Sequence, residues 1–172
     1  MSAALRYGSL ERVSKLTHDH QWVTERIALG SAVTRFSHVR SLAAENVTHV
    51  LDCRMTNPHP ELYAHSGIVH QQCGAIDDGV AKLDGWFHDG VRFAFEALSK
   101  PNTRLLIHCL VGVSRGPAMT FAVLRLLGFT QLEAEVRIKA AREIVRRIAY
   151  QQDAERAIAA LRGPREPESV QR

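Results

Sequence analysis

The sequence predicts an α/β domain with a mostly parallel sheet. Two observations carry this. Short apolar runs alternate with segments of helical periodicity through the middle of the chain, the pattern of strands joined by crossover helices. The 172 residues are 45% hydrophobic and 23% charged, enough apolar material for one compact domain with a real core. A single domain is read over residues 1–162, with 1–20 unassigned and 163–172 (GPREPESVQR) as a frayed tail.

Residues 24–30 (TERIALG) alternate about Ile27 and Leu29 and end at Gly30-Ser31, which predicts a strand and turn. Ser37 is placed to cap a short helix through Glu45, with Val39, Leu42 and Ala43 inward and Asn46 as its stop. Residues 48–53 (THVLDC) read as a buried strand, broken by NPHP at 57–60. A third apolar stretch covers 67–72, and 74–79 (GAIDDG) is a loop. Leu83, Trp86, Phe87, Val91, Ala94, Phe95 and Leu98 recur at spacings of three and four, predicting a strong helix with its aromatics in the core. Pro101-Asn102 ends it. Residues 104–108 (RLLIH) predict a short central strand, 109–114 a loop, and 115–127 a largely apolar helix stopped by Gly128. Thr130 and Glu133 form a capping box for the next helix, and a last helix runs to about Leu161.

Charge narrows the function classes. Twenty-two basic and 18 acidic residues give a net charge of +4. That suits an anionic substrate but is no nucleic-acid signature. Cysteines at 53, 73 and 109 are odd in number and lack metal-ligand spacing, which argues against a disulfide framework or a zinc site. No metal or cofactor is called for. No apolar run approaches the roughly 18 residues of a membrane span, and residues 1–10 lack the apolar core of a signal peptide. The expectation is a reducing, cytoplasmic setting in which a free thiol can serve chemistry.

The informative segment is 107–117, IHCLVGVSRGP. Cys109 follows a buried strand, and Arg115, five intervening residues later, begins a helix. The amides of Leu110, Val111, Gly112, Val113, Ser114 and Arg115 can converge on one concavity, a nest for an anion. The helix start adds its positive end. Gly112 permits a backbone turn that a side chain would obstruct, and Arg115 offers a planar fork matched to two phosphate oxygens. Donors that hold phosphate also stabilise a thiolate, so Cys109 is the candidate nucleophile.

His108, Cys109, Gly112 and Arg115 closely resemble the H-C-x-x-G-x-x-R signature of the protein tyrosine phosphatase superfamily. The chain is most similar to its small dual-specificity branch, from about Ile27 to Leu161. Residues 27–31 (IALGS) resemble that branch's opening strand and 47–51 (VTHVL) its next. The resemblance implies a cysteine-dependent phosphatase fold: a short twisted, mostly parallel sheet with helices on both faces. It implies a phosphorylated protein or another phosphate ester as partner, and a loop-organising role for His108. It also implies a general-acid aspartate on a loop some thirty residues before the cysteine. Asp77 matches that position better than Asp78. One residue departs from the pattern. Gly116 stands where the family usually carries a hydroxyl after the arginine, which predicts slow release of phosphate from the cysteine.

Other readings stay open. Cys53, also at a strand end, is either an inert buried thiol or a partner for Cys109 under oxidation. Arg137, Lys139, Arg142, Arg146 and Arg147 form either a solvated face or an attractor of acidic peptides. The apolar Leu110, Val111 and Val113 weigh against phosphoinositides and RNA 5′-phosphates, leaving phosphotyrosine first and phosphoserine or phosphothreonine next. A phosphate-recognising module without turnover is the alternative.

Overall fold

The computed structural model describes residues 17–144 and 147–163. Most of the unassigned N-terminal stretch, Val145, Arg146 and the tail beyond Gly163 lie outside the described residues. Among the described residues there are five strands: β1 (His20–Trp22), β2 (Ile27–Gly30), β3 (His49–Asp52), β4 (Val69–Gln72) and β5 (Leu105–His108). The helices are α1 (Phe36–Ala44), α2 (Asp84–Leu98), α3 (Arg115–Leu126), α4 (Gln131–Ala141) and α5 (Gln151–Arg162), with a 3-10 turn at Pro60–Tyr63.

The strand order is β1-β2-β5-β3-β4. Only β1 runs antiparallel; β2, β5, β3 and β4 are mutually parallel. The mostly parallel α/β architecture is therefore the one the sequence predicts. Alternation along the strands divides the core in two. Ile27, Leu29, Leu51, Leu105 and Ile107 face Phe87, Phe121, Ile138 and Ile158 of the four later helices. Ala28, Val50 and Leu106 face Val39, Leu42, Leu62 and Tyr63 on the other side. Strand β5 is buried along its whole length because neighbours cover both its edges and both its faces.

Register positions the site. His108, the last residue of β5, pairs with Gly30 on one side and Asp52 on the other. The chain leaves the sheet there, in the middle of its C-terminal end, where open α/β sheets carry their ligands.

Some local expectations need correction. Ser37 does not cap α1: the cap position is Arg35, with no side-chain hydrogen bond. Ala43 is exposed, since only Val39 and Leu42 point at the core. In α2 the buried stripe is Phe87, Gly90, Val91, Ala94 and Ala97. Phe95 falls off its edge and is half exposed, Trp86 is partly buried, and Leu83 precedes the helix in solvent. The Thr130–Glu133 capping box is present in both directions. Among the described residues no helix is long and apolar enough to cross a membrane.

Candidate active site

Residues 109–115 form a tight loop between β5 and α3. Two of its carbonyls are fastened outward. Ala32 N–H donates to the Leu110 carbonyl at 3.0 Å, and Arg142 Nη2 donates to the Val111 carbonyl at 2.7 Å. In a trans peptide the next N–H points the opposite way. The Val111 and Gly112 amides therefore turn inward, and the Gly112 amide lies 3.3 Å from Cys109 Sγ. Gly112 has φ +80°, and a Cβ there would come within 2.6 Å of the Gly30 carbonyl oxygen. Only glycine meets both demands.

Cys109 is buried at the bottom of this loop. Arg115 lies on its helical side, also buried. Its Nη1 donates to the Ala75 carbonyl at 2.9 Å, while among the described residues its buried Nε has no hydrogen-bond partner. A buried charged N–H without a partner is costly, and an oxygen of a bound anion would satisfy it. Leu110, Val111 and Val113 turn their side chains to solvent around the loop. They bring backbone, not side chains, to the concavity.

The two candidate acids separate cleanly. Asp77 Oδ1 accepts hydrogen bonds from Ser114 Oγ and from the Tyr150 hydroxyl, both at 2.8 Å. Its Oδ2 lies 3.7 Å from Arg115 Nε. Asp78 instead holds Lys82 Nζ at 2.5 Å and the Val80 amide at 3.0 Å. The fold thus brings Asp77, and not Asp78, to the Cys109 loop.

Behind the loop lies a buried polar network. His108 Nδ1 is 3.1 Å from the Cys109 carbonyl, which can only accept, so this nitrogen carries the proton. Burial pushes the His108 pKa down to about 4, against the pull of Asp52. Asp52 is clamped by Arg54, Nε to Oδ1 at 2.9 Å and Nη2 to Oδ2 at 2.6 Å. Burial opposes its ionisation, yet the His70 ring 3.6 Å away and the hydrogen bonds from Arg54 outweigh that and hold its carboxyl well below the usual range. Cys53 is fully buried, and burial pushes its thiol pKa well up. Such a protonated core thiol is a poor nucleophile.

At Gly116 a Cβ would sit 3.5 Å from Cys109 Sγ and 3.0 Å from Leu29 Cδ1. A side chain at this position would adjoin the thiol, and none is there.

Sequence reasoning missed Tyr150, the Asp52–Arg54 clamp and the real task of Arg142. Arg142 pairs with Asp19 at 2.7 Å as well as with the loop carbonyl. Arg137 lies over the Phe129 ring and Lys139 on Glu135. Three of the five basic residues are therefore occupied by this chain's own groups. An acid closing a buried strand, with arginine two residues on, was a usable signal for the Asp52 clamp. Nothing in the sequence marked Tyr150.

A large open depression of about 900 Å³ lies at the opposite end of the sheet, between Arg26, Thr48, Ile68 and Thr103. Its arginines, Arg26 and Arg104, are already bonded to backbone carbonyls.

No protein-family model matches the chain. It is 34% identical to rat dual specificity protein phosphatase 26 over 109 residues, covering 62% of this chain and 52% of that one. It is 32% identical to human dual specificity protein phosphatase 9 over 103 residues, covering 59% and 26%. Over this stretch the chain is similar to these dual specificity protein phosphatases. The chain spans about half the length of rat dual specificity protein phosphatase 26. Among solved structures, PTPMT1 has a TM-score of 0.69 at 19% identity, over 81% of this chain and 93% of its own. Human DUSP28 has a TM-score of 0.69 at 21% identity, over 84% and 95%. These two solved structures share the fold of this chain.

Proposed function

We propose that the chain is a cysteine-dependent phosphatase for phosphate monoesters, chiefly phosphotyrosine in proteins and next phosphoserine or phosphothreonine. One observation carries this reading: Asp77 Oδ2 pairs at 3.7 Å with Arg115 Nε, at the loop whose Gly112 amide is on Cys109 Sγ. Nucleophile, anion clamp and acid share one small space.

The mechanism has two steps. The Cys109 thiolate attacks phosphorus, the S–P bond forms, and the bond to the leaving oxygen breaks. Asp77 gives its proton to that oxygen. Arg115 and the loop amides of residues 110–115 hold the other three oxygens, where electrostatic positioning supplies most of the rate. Asp77, now a carboxylate, takes a proton from water. The water oxygen bonds to phosphorus, the S–P bond breaks, and phosphate leaves. His108, neutral and buried, orients the loop from behind. No cofactor enters.

The exposed, apolar Leu110, Val111 and Val113 put no basic side chain at the mouth. That supports a singly phosphorylated ester over a polyphosphorylated lipid or an RNA 5′-end, although PTPMT1 has been solved in complex with PI(5)P. A second reading, a phosphate-recognising module without turnover, draws on Gly116. We place the protein in a reducing, cytoplasmic setting, where its free thiols stay reduced.

Hydrolysis of para-nitrophenyl phosphate and a panel of phosphopeptides tests both readings. Wild type turns over and is stopped by vanadate. Cys109→Ser is inactive, and Asp77→Asn is slower by about 10²-fold on phosphotyrosine peptides. Phosphopeptide binding without turnover by wild type would establish the module instead.

A further inference from the structure

Tyr150 lies some seventy residues from the acid loop in sequence but touches it directly. Its hydroxyl donates to Asp77 Oδ1 at 2.8 Å and accepts from the Gly79 amide at 3.0 Å. The residue is fixed from its own side. It sits in the left-handed region, φ +56°, immediately before α5. Its ring lies under Lys82 Nζ, 4.8 Å from the centroid. The first turns of α5 grip the same loop: Asp153 Oδ2 accepts from the Lys82 amide at 2.9 Å, and Arg156 Nη2 donates to the Lys82 carbonyl at 2.7 Å. A left-handed conformation at a non-glycine residue costs about 1 kcal/mol or more. Contacts with the acid loop, the core and the first turn of α5 hold it there.

The two oxygens of Asp77 are unequal. Oδ1 receives two O–H donors, from Ser114 and Tyr150. A carboxyl oxygen that accepts two hydrogen bonds is the carbonyl-like one in the protonated acid. Oδ2, the oxygen beside Arg115 Nε, is then the one that carries the proton.

We infer that Tyr150 is a positioning residue for the acid step: its hydroxyl fixes the Asp77 carboxyl so that the proton resides on Oδ2, facing the anion loop. This rests on Asp77 acting as the general acid. Proton balance is that of the acid step itself. The Oδ2 proton passes to the leaving oxygen, and the Tyr150 hydroxyl keeps its own.

The test is a series of aryl phosphates with leaving groups from 2,4-dinitrophenol to phenol, measured on wild type, Tyr150→Phe, Asp77→Asn and the double variant. A good leaving group needs no proton; phenol does. Tyr150→Phe is expected to lower kcat/KM for phenyl phosphate about tenfold and to leave kcat/KM for 2,4-dinitrophenyl phosphate unchanged, since kcat/KM reports the step in which the leaving oxygen departs. Asp77→Asn shows the same slope more steeply, and the double variant matches it. A fall in Tyr150→Phe that is equal across the series means general damage to the loop and overturns the inference. No fall at all also overturns it. If Asp77→Asn itself is insensitive to the leaving group, the acid assignment fails, and this inference with it. If Asp77→Asn is sensitive and Tyr150→Phe is not, only this inference fails.

Discussion

The two loops that meet at Cys109 are built in opposite ways. The loop proposed to carry the nucleophile, 109–115, leaves a strand buried on all sides and enters a helix whose first ten residues are buried. Its shape is set by backbone: carbonyls 110 and 111 fastened outward, amides turned inward, Gly112 against the Gly30 carbonyl. The acid loop is exposed from Ile76 to Ala81 and is held by side chains of Ser114, Tyr150, Lys82 and Asp153. Backbone construction makes the anion cradle indifferent to most loop side chains and intolerant of a changed main chain. Side-chain construction lets the acid be adjusted one contact at a time and opened at small cost.

The comparison breaks most readily at two glycines of similar φ, +80° for Gly112 and +74° for Gly79. Gly112→Ala adds a clash with the Gly30 carbonyl to the backbone strain. It should cost about 2–3 kcal/mol of stability and nearly all turnover. Gly79→Ala meets open space and should cost about 1 kcal/mol. Urea midpoints with parallel activity assays check this; equal losses would show that the loops are not built differently.

Acid should next weaken the support behind the nucleophile loop. Burial pushes His108 down to about 4 and His18 down to about 3. Unfolded histidines titrate near 6.5 and so take up protons that the folded ones refuse. The histidine contribution is complete above pH 6.5 and falls as pH drops toward 4, by on the order of 1 kcal/mol per pH unit for each histidine. Denaturant midpoints at pH 7, 6 and 5 test the sign, and a flat profile would contradict it.

The smallest effect sharpens the chemistry. Gly116→Ser would place Cβ 3.5 Å from Sγ while pressing Leu29 by a few tenths of an ångström. If release of phosphate from Cys109 is slow, wild type shows a pre-steady-state burst, and the serine variant raises kcat by about threefold. A wild type without a burst would remove Gly116 as the bottleneck.

What the sequence made legible follows the same division. Strand runs, the α2 and α3 periodicities, the Thr130 cap and the Cys109–Arg115 loop all depend on short-range spacing, and each was readable. The choice of Asp77 over Asp78 came from position along the chain; in the structure Asp77 contacts Ser114 and Arg115. Ala43 and Phe95 were misjudged because neighbouring positions on a helix differ by about 100°, so its register decides which apolar residue is buried; Ser37 was misjudged because the helix begins one residue before it, at Phe36. Tyr150 and Arg142 were unreadable for another reason. Their partners are 73 and 31 or more residues away, brought close only by the packing of α4 and α5.

The Gly30 carbonyl and the Asp19–Arg142 pair have a consequence for dissecting this protein. The signature lies past residue 107, but the wall behind it is made by residues 18–31. Asp19 anchors the arginine that holds the Val111 carbonyl, and its own carbonyl receives the Ser31 amide. A fragment begun at Ile27 would keep every residue of the motif and lose the brace that shapes it. The smallest fragment that keeps this brace therefore starts ahead of Asp19, before the antiparallel edge strand, and not at the first parallel one.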